Sequence, residues 1–410
     1  MRWIHPISPD TDEPAEVIGA KVHGLVLLRR LGLPVPPGFV IATAAGRAYR
    51  RAGRLPDGLA EELAAALAGL AAERVSVRSG GSVSQPGMMT TVLDLEPTPA
   101  RVGPAVEAVF ASWDAPRARL YRDLHDIPHD LGTAATVQAM VFGDRDARSG
   151  SGVAFSRDPN TGAPGPFGEV LFGRRGDDVV SGRASTRPLA ELAERESRVW
   201  DCLCEAMSRV EEHHRDACYL EFTFEAGEPW LLQVRRAGFV GAAAVRLATD
   251  LVDEGAIDRP EALRRVSPDD LRNARTPRIA DDLEPLARGT GACPGVAVGR
   301  VALSADRAAR MAADGPVILV RPQTSPLDMP GIAAATGLVT ARGGPTSHAA
   351  IVARAMGKPA VVGVAGLAVA EGTLIAIDGT SGAVVLGRPR VVTGATSPGL
   401  DRLLAWAEEA

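Results

Sequence analysis

The sequence predicts an α/β (α+β) protein with more than one core. Three observations carry that expectation. From Gly289 onward, short Val- and Ile-rich runs (VAVGRVAL, PVILVRP, GLVTA, PAVVGV, TLIAID, AVVLG) alternate with short helical stretches, the pattern of a separate α/β domain of roughly a hundred residues. Upstream, strand-forming runs come in pairs around polar or glycine turns, most clearly in CYLEFTFEAGEPWLLQVRR. Aromatics make up only 4% of the chain and glycines number 44, a composition suited to closely packed layers joined by many tight turns. At 410 residues the chain exceeds what one core normally organises.

Residues 16–32 read as a helix that ends at Gly32, and the prolines of LPVPPGFVI force the following chain into an extended path toward a short strand after Gly38. An Ala/Leu-rich helix follows over 58–73. RVSVRSG is a strand running into a glycine turn, and Val102–Tyr121 reads as one helix. ATVQAMVFG and SGVAFSRDP are strands joined by the polar DRDARSG, which suggests a hairpin. EVLFG and DDVVSG continue the β pattern, 188–215 reads as a charged helix, and 241–275 as helical and polar. RTPRIADDLEP, with its two prolines, reads as a linker.

Composition excludes several classes of function. The net charge is −5 and no basic stripe appears, which argues against a nucleic-acid partner. No apolar run approaches the roughly 18–20 residues of a membrane span, and MRWIHPISPDTDE lacks the apolar core of a signal peptide. Cys202, Cys204, Cys218 and Cys293 form no paired zinc pattern. They read as free thiols in a reducing compartment, so the expected location is cytoplasmic.

The segment GGPTSHAAIVARAMGKPAVVG, residues 343–363, holds a single histidine, His348. Gly343 and Gly344 permit a tight or left-handed turn. Thr346 or Ser347 can cap the helix that runs on to Met356, which places His348 in its first turn. There a neutral imidazole is a usable nucleophile, and oxygens attached to it would face free N–H groups at the positive end of the helix dipole. The turn is expected to leave the ring accessible. Taken alone, the residue also reads as a structural histidine filling a turn.

The wider stretch TARGGPTSHAAIVARAMGKPAVVG resembles the phosphohistidine signature of the pyruvate phosphate dikinase and phosphoenolpyruvate synthase family, and ACPGVAVGRV and VILVRPQTSPLDMPGI resemble the segments before it. The resemblance implies a β/β/α swivelling domain with His348 as phosphoryl carrier, and it groups Thr346 and Arg235 with His348 as catalytic. The N-terminal half is similar to the dikinase branch in VIGAKVHGLVLLRRLGLPVPPGFVI, VSVRSGGSVSQPGMMTTVLDL, GTAATVQAMVFGDRDARSGSGVAFSRDPNTG and EFTFEAGEPWLLQVRR. It implies an ATP-grasp fold that binds ATP and Mg²⁺. Lys21 and Arg78 would meet ATP phosphates, although singly each reads as a surface charge. The loop near Gly150 and Gly152 would offer backbone N–H groups to phosphate oxygens. Glu221 and Gln233 would bind nucleotide and ligate the metal.

The expected segments are a nucleotide-binding domain over 1–240, a helical segment and linker over 241–288, a swivelling domain over 289–390, and a C-terminal helix or tail over 391–410. Two departures from the family pattern bear on activity. Tyr219 stands where the family hairpin usually has aspartate, so a metal carboxylate is expected to be missing. GRRGDDVV replaces NAQGEDVV, which introduces Arg174 and Arg175 and shortens an acid at Asp177. The chain ends at Ala410 with no counterpart of the family's C-terminal pyruvate-binding barrel. The expectation is therefore a half-enzyme that forms phospho-His348 from ATP and passes the group to pyruvate on a separate barrel-type subunit. Two alternatives are a nucleotide-binding regulatory paralogue and a kinase for another small molecule.

Overall fold

The computed structural model describes residues 2–83, 85, 87–175, 186–275, 277–280, 284–393 and 398–409. The DDVVSG stretch and Asp177 lie outside them. The fold mixes helices with sheets, and the chain divides into two compact units: residues 1–145 with 220–235, and residues 146–219 with 236–410.

The first unit is built on an antiparallel sheet of β1 (Ile4–Pro6), β2 (Gly38–Ile41), β3 (Val75–Gly80), β4 (Thr91–Leu95) and β5 (Ala134–Ala139), in the order β1-β2-β5-β3-β4. Its apolar residues fall on one side by strand alternation, and helices Leu59–Ala68 and Pro99–Ala111 cover them. Val75 and Val77 on β3 and Val137 on β5 pack in one cluster with Leu59, Leu63, Val106 and Phe110. The helix expected over 102–121 is two helices, Pro99–Ala111 and Pro116–Leu124, separated by a turn at Ser112–Asp114. Pro116 is the reason: without an N–H it begins a helix far more readily than it continues one.

The second unit opens with β6 (Gly150–Arg157), β7 (Pro164–Phe172) and β8 (Arg187–Pro188), paired antiparallel in sequence. The hairpin expected between β5 and β6 does not form. β5 lies between β2 and β3, whereas β6 pairs with β7. Alternation identifies a strand but not its partner, and the connecting residues are long enough to leave one sheet for another. The helix expected over 188–215 is interrupted at Glu196, which separates Glu191–Arg195 from Ser197–His214. β9 (Cys218–Glu225) and β10 (Glu228–Arg236) form the expected hairpin. Ala226 and Gly227 turn it with φ of 51° and 81°, the left-handed pair whose twist matches the flanking strands.

Three helices, Gly241–Asp253, Arg259–Arg265 and Pro268–Ala274, occupy the stretch expected to be helical. Next come β11 (Pro277–Ile279), β12 (Ala287–Arg288), β13 (Thr290–Cys293), β14 (Val296–Ala302), β15 (Val317–Arg321), β16 (Gly337–Thr340), β17 (Ala360–Val362), β18 (Leu374–Asp378), β19 (Ala383–Leu386) and β20 (Val391–Thr393). Strands β12 to β19 make one sheet in the order β12-β19-β18-β14-β15-β16-β17-β13, with β14 through β17 parallel. All of the Val/Ile runs read from the sequence are strands here. The stretch expected as a linker contributes β11, which pairs with β20. The Asp378 carboxylate anchors it by accepting the Ile279 N–H at 3.2 Å. Among the described residues no helix is long and apolar enough to cross a membrane.

Candidate functional site

In the first unit, helix Ala15–Arg30 carries Lys21 and β3 carries Arg78. The helix is broken at Gly19, whose φ is 79°. A Cβ there would fall 2.1 Å from the Gly80 carbonyl oxygen, so only glycine lets the two backbones meet this closely. One residue on, the Ala20 N–H donates to the Gly81 oxygen at 2.9 Å. This seats the start of the helix on the end of β3 and sets Lys21 beside Gly80.

The electrostatics of this corner suit an anion. Burial pushes the Lys21 ammonium down to about 8, Arg78 adds to the shift, and Glu221 on β9 opposes it. Arg78 is also lowered by burial, with Glu221 again opposing. Arg78 donates to the Gln138 side-chain oxygen, while Gln138 donates to the Pro36 carbonyl at 3.0 Å. Arg78 Nε is buried without a partner. The structure thus brings Lys21, Arg78 and Glu221 together as two cations with one compensating carboxylate, and a polyphosphate would supply the missing negative charge.

Gln233 and Arg235 lie on β10, the strand hydrogen-bonded to the one that carries Glu221. Among the described residues no three His, Cys, Asp or Glu side chains gather as a metal cluster. One carboxylate and one amide are nonetheless hard oxygen donors, enough for an ion that takes its other ligands from phosphates and water. Gly150 and Gly152 belong to the second unit. They lie within β6, opposite Phe172 and Val170, rather than in the loop before it.

Tyr219 is 1% exposed and packs edge-on against Phe155, ring centroids 5.0 Å apart, in the apolar cluster that holds Leu247, Leu251 and Trp406. It is a core residue, so an aspartate in its place would bring a charge into a largely apolar cluster.

His348 opens the helix His348–Ala355, with Ser347 as the flanking residue and Gly343 at φ 93°. The expected accessible ring is not found: His348 is 8% exposed. Its Nδ1 lies 3.1 Å from Thr324 Oγ1, and its Nε2 is buried without a partner. Burial lowers its pKa from the ordinary histidine value, against a smaller opposing effect of Asp328, so the ring is neutral near pH 7. Ser347 makes no side-chain capping bond. Thr346 does not cap either: its N–H at 3.1 Å and its hydroxyl both donate to the Glu169 carboxylate. Arg354, buried on the same helix, donates to the Ala292 oxygen at 2.9 Å and to the Pro345 oxygen, and holds the turn from behind.

Sequence reasoning missed Thr324, Glu169 and Arg354. Thr324 lies inside VILVRPQTSPLDMPGI, where its residue type alone signals no role. Glu169 is 177 residues from Thr346 and carries no local signal, being one acid in an apolar strand.

Comparison with known proteins is consistent along the chain. The model of the pyruvate phosphate dikinase AMP/ATP-binding domain matches residues 50–191, and the model of the mobile domain of PEP-utilising enzymes matches residues 313–382. The chain is 32% identical to pyruvate, phosphate dikinase 1 of Arabidopsis thaliana over 96% of this chain and 53% of that protein. It is 32% identical to the Rhizobium meliloti enzyme over 99% of this chain and 60% of that one. For Clostridium symbiosum the values are 31%, 100% and 60%. The chain therefore spans little more than half the length of the curated relatives it matches. With a match to the AMP/ATP-binding domain followed by a match to the mobile domain, the chain belongs to the pyruvate phosphate dikinase family of PEP-utilising enzymes.

Proposed function

We propose that this chain forms phospho-His348 from ATP and passes the phosphoryl group to a small-molecule acceptor. Kinship suggests pyruvate, bound on a separate barrel-type subunit. In this reading residues 1–240 serve the nucleotide and 289–390 carry the histidine, with 241–288 and 391–410 as connecting and terminal segments. The observation that carries the proposal is the His348 ring: buried at a helix start, with Nδ1 at Thr324 and Nε2 unpartnered.

With its proton on Nδ1 and Thr324 Oγ1 accepting it, the ring has its lone pair on Nε2. Attack of Nε2 on the β-phosphorus forms an N–P bond and breaks the P–O bond to AMP, which leaves. Orthophosphate then takes the terminal phosphoryl group as pyrophosphate, and the β-phosphoryl group stays on His348. Lys21, Arg78 and Arg235 would neutralise phosphate charge during transfer. Mg²⁺, held by Glu221 and Gln233, would supply further neutralisation. The nucleotide assignment rests on the first unit alone; Gly150 and Gly152 are proposed as secondary backbone contacts.

Incubation with ATP labelled at the β or γ position, followed by mapping of acid-labile label, tests this. β-Label should stay on His348, γ-label should leave when orthophosphate is added, and His348→Asn should take up none. Wild-type protein that binds ATP and never labels would favour the second reading, a nucleotide-binding paralogue without turnover. Tyr219, in the position of the family's aspartate, speaks for that reading.

A further inference from the structure

We propose that Glu169 is a charge-operated latch on the histidine-bearing turn. In the unphosphorylated protein it occupies the donors that a phosphoryl group on His348 would take, so latching and phosphorylation exclude each other. The inference rests on the phosphohistidine reading above and deepens it.

Glu169 is 8% exposed on β7. Its partners are the Thr346 N–H, the Thr346 hydroxyl and the Thr186 hydroxyl, all neutral donors. A Cβ on Gly344 would fall 1.7 Å from Glu169 Oε1, so the carboxylate rests directly on the Gly344 backbone. Thr346, whose N–H it accepts, lies two residues before helix His348–Ala355, whose first N–H groups lack helical partners, a setting that favours an anion. Two atoms on that turn, Ser347 Oγ and His348 Nε2, are buried without partners on residues only 5% and 8% exposed. The turn thus holds one anion and carries two further polar atoms that no protein group satisfies. A phosphoryl group on Nε2 would bring a second negative charge into a confined site of neutral donors, where like charges strongly disfavour each other. Thr346 would turn its donors to the phosphoryl oxygens, and Glu169 would lose its hold.

The test uses the whole chain and a reagent that needs no nucleotide site. Phosphoramidate transfers its phosphoryl group to imidazole: its P–N bond breaks, ammonia leaves, and a P–N bond to the ring forms. Amide hydrogen exchange across 343–350 is followed in wild type, Glu169→Gln, Glu169→Ala and Gly344→Ala, before and after labelling. Without label, Glu169→Ala and Gly344→Ala should speed exchange at Thr346 by roughly tenfold or more, the weight of a lost charge-assisted hydrogen bond, and Glu169→Gln by less. Labelling should restore slow exchange at Thr346 in Glu169→Ala, because phosphoryl oxygens take the donors that the carboxylate left, and Glu169→Ala should label His348 faster than wild type. Unchanged exchange in the folded variants, no protection regained in labelled Glu169→Ala, or no faster labelling of Glu169→Ala would each overturn the latch. If these arms succeed while ATP gives no label, the latch stands and the ATP-dependent reading fails.

Discussion

An ammonium half-buried beside Arg78, with Glu221 as its compensating charge, makes Lys21 a reporter for whatever binds at this corner. Its folded pKa of about 8 lies below the ordinary 10.5. Between those values the unfolded chain holds more protons, so this residue's contribution to stability rises with pH across that window. A polyphosphate would push the pKa back up. ATP binding should therefore take up protons near pH 8–9, and affinity should fall as pH rises above about 8. Calorimetry in two buffers of different ionisation enthalpy measures the uptake. In Lys21→Met the uptake should vanish and ATP binding weaken by at least tenfold, while the free protein loses its pH-dependent gain in stability relative to wild type. Proton uptake that survives in Lys21→Met would assign it to another group.

At the scale of elements, the meeting of helix Ala15–Arg30 with β3 depends on Gly19. Its backbone angle and its close approach to Gly80 both require the missing Cβ. Gly19→Ala should cost roughly 2–4 kcal/mol of stability and displace Lys21 from Arg78. ATP binding would then be lost in protein that still folds at low temperature. Urea denaturation together with nucleotide titration checks both effects, and a variant of wild-type affinity would show that the kink does not position the lysine. This element was half legible in the sequence. The helical run and its end at Gly32 were readable from periodicity and the prolines that follow. The kink was not, because a glycine inside a helical pattern gives no sign that another strand passes within contact distance.

At the scale of the molecule, the last helix, Pro398–Glu408, is part of a core assembled from distant segments. Leu400, Leu403 and Trp406 pack with Val153, Phe155 and Leu171 from β6 and β7 and with Leu247 and Leu251. Arg402 pairs with Asp253, and Arg259 with Glu409. Trp406→Ala should remove roughly 3–5 kcal/mol from the second unit. Hydrogen exchange should accelerate in β6, β7 and helix Gly241–Asp253, while the amides of β2 and β5 in the first unit stay protected. Uniform acceleration across both units would mean that they unfold together.

The sequence by itself determined what depends on neighbours along the chain. The strands from 296 to 386 follow from their Val/Ile runs, the β9–β10 hairpin from its two-residue turn, and the helix start at His348 from glycines and small polar residues before a helical run. It also showed which residue types could carry phosphoryl chemistry. The tertiary structure decided what depends on residues far apart in sequence. β5 and β6 enter different sheets, Tyr219 serves as core packing, His348 is buried, and Glu169 reaches Thr346 across 177 residues. Local preferences act through backbone angles and the spacing of apolar side chains, which a sequence displays directly. Burial and long-range hydrogen bonds depend on which surfaces meet once the chain has closed, and no short stretch of sequence contains that information.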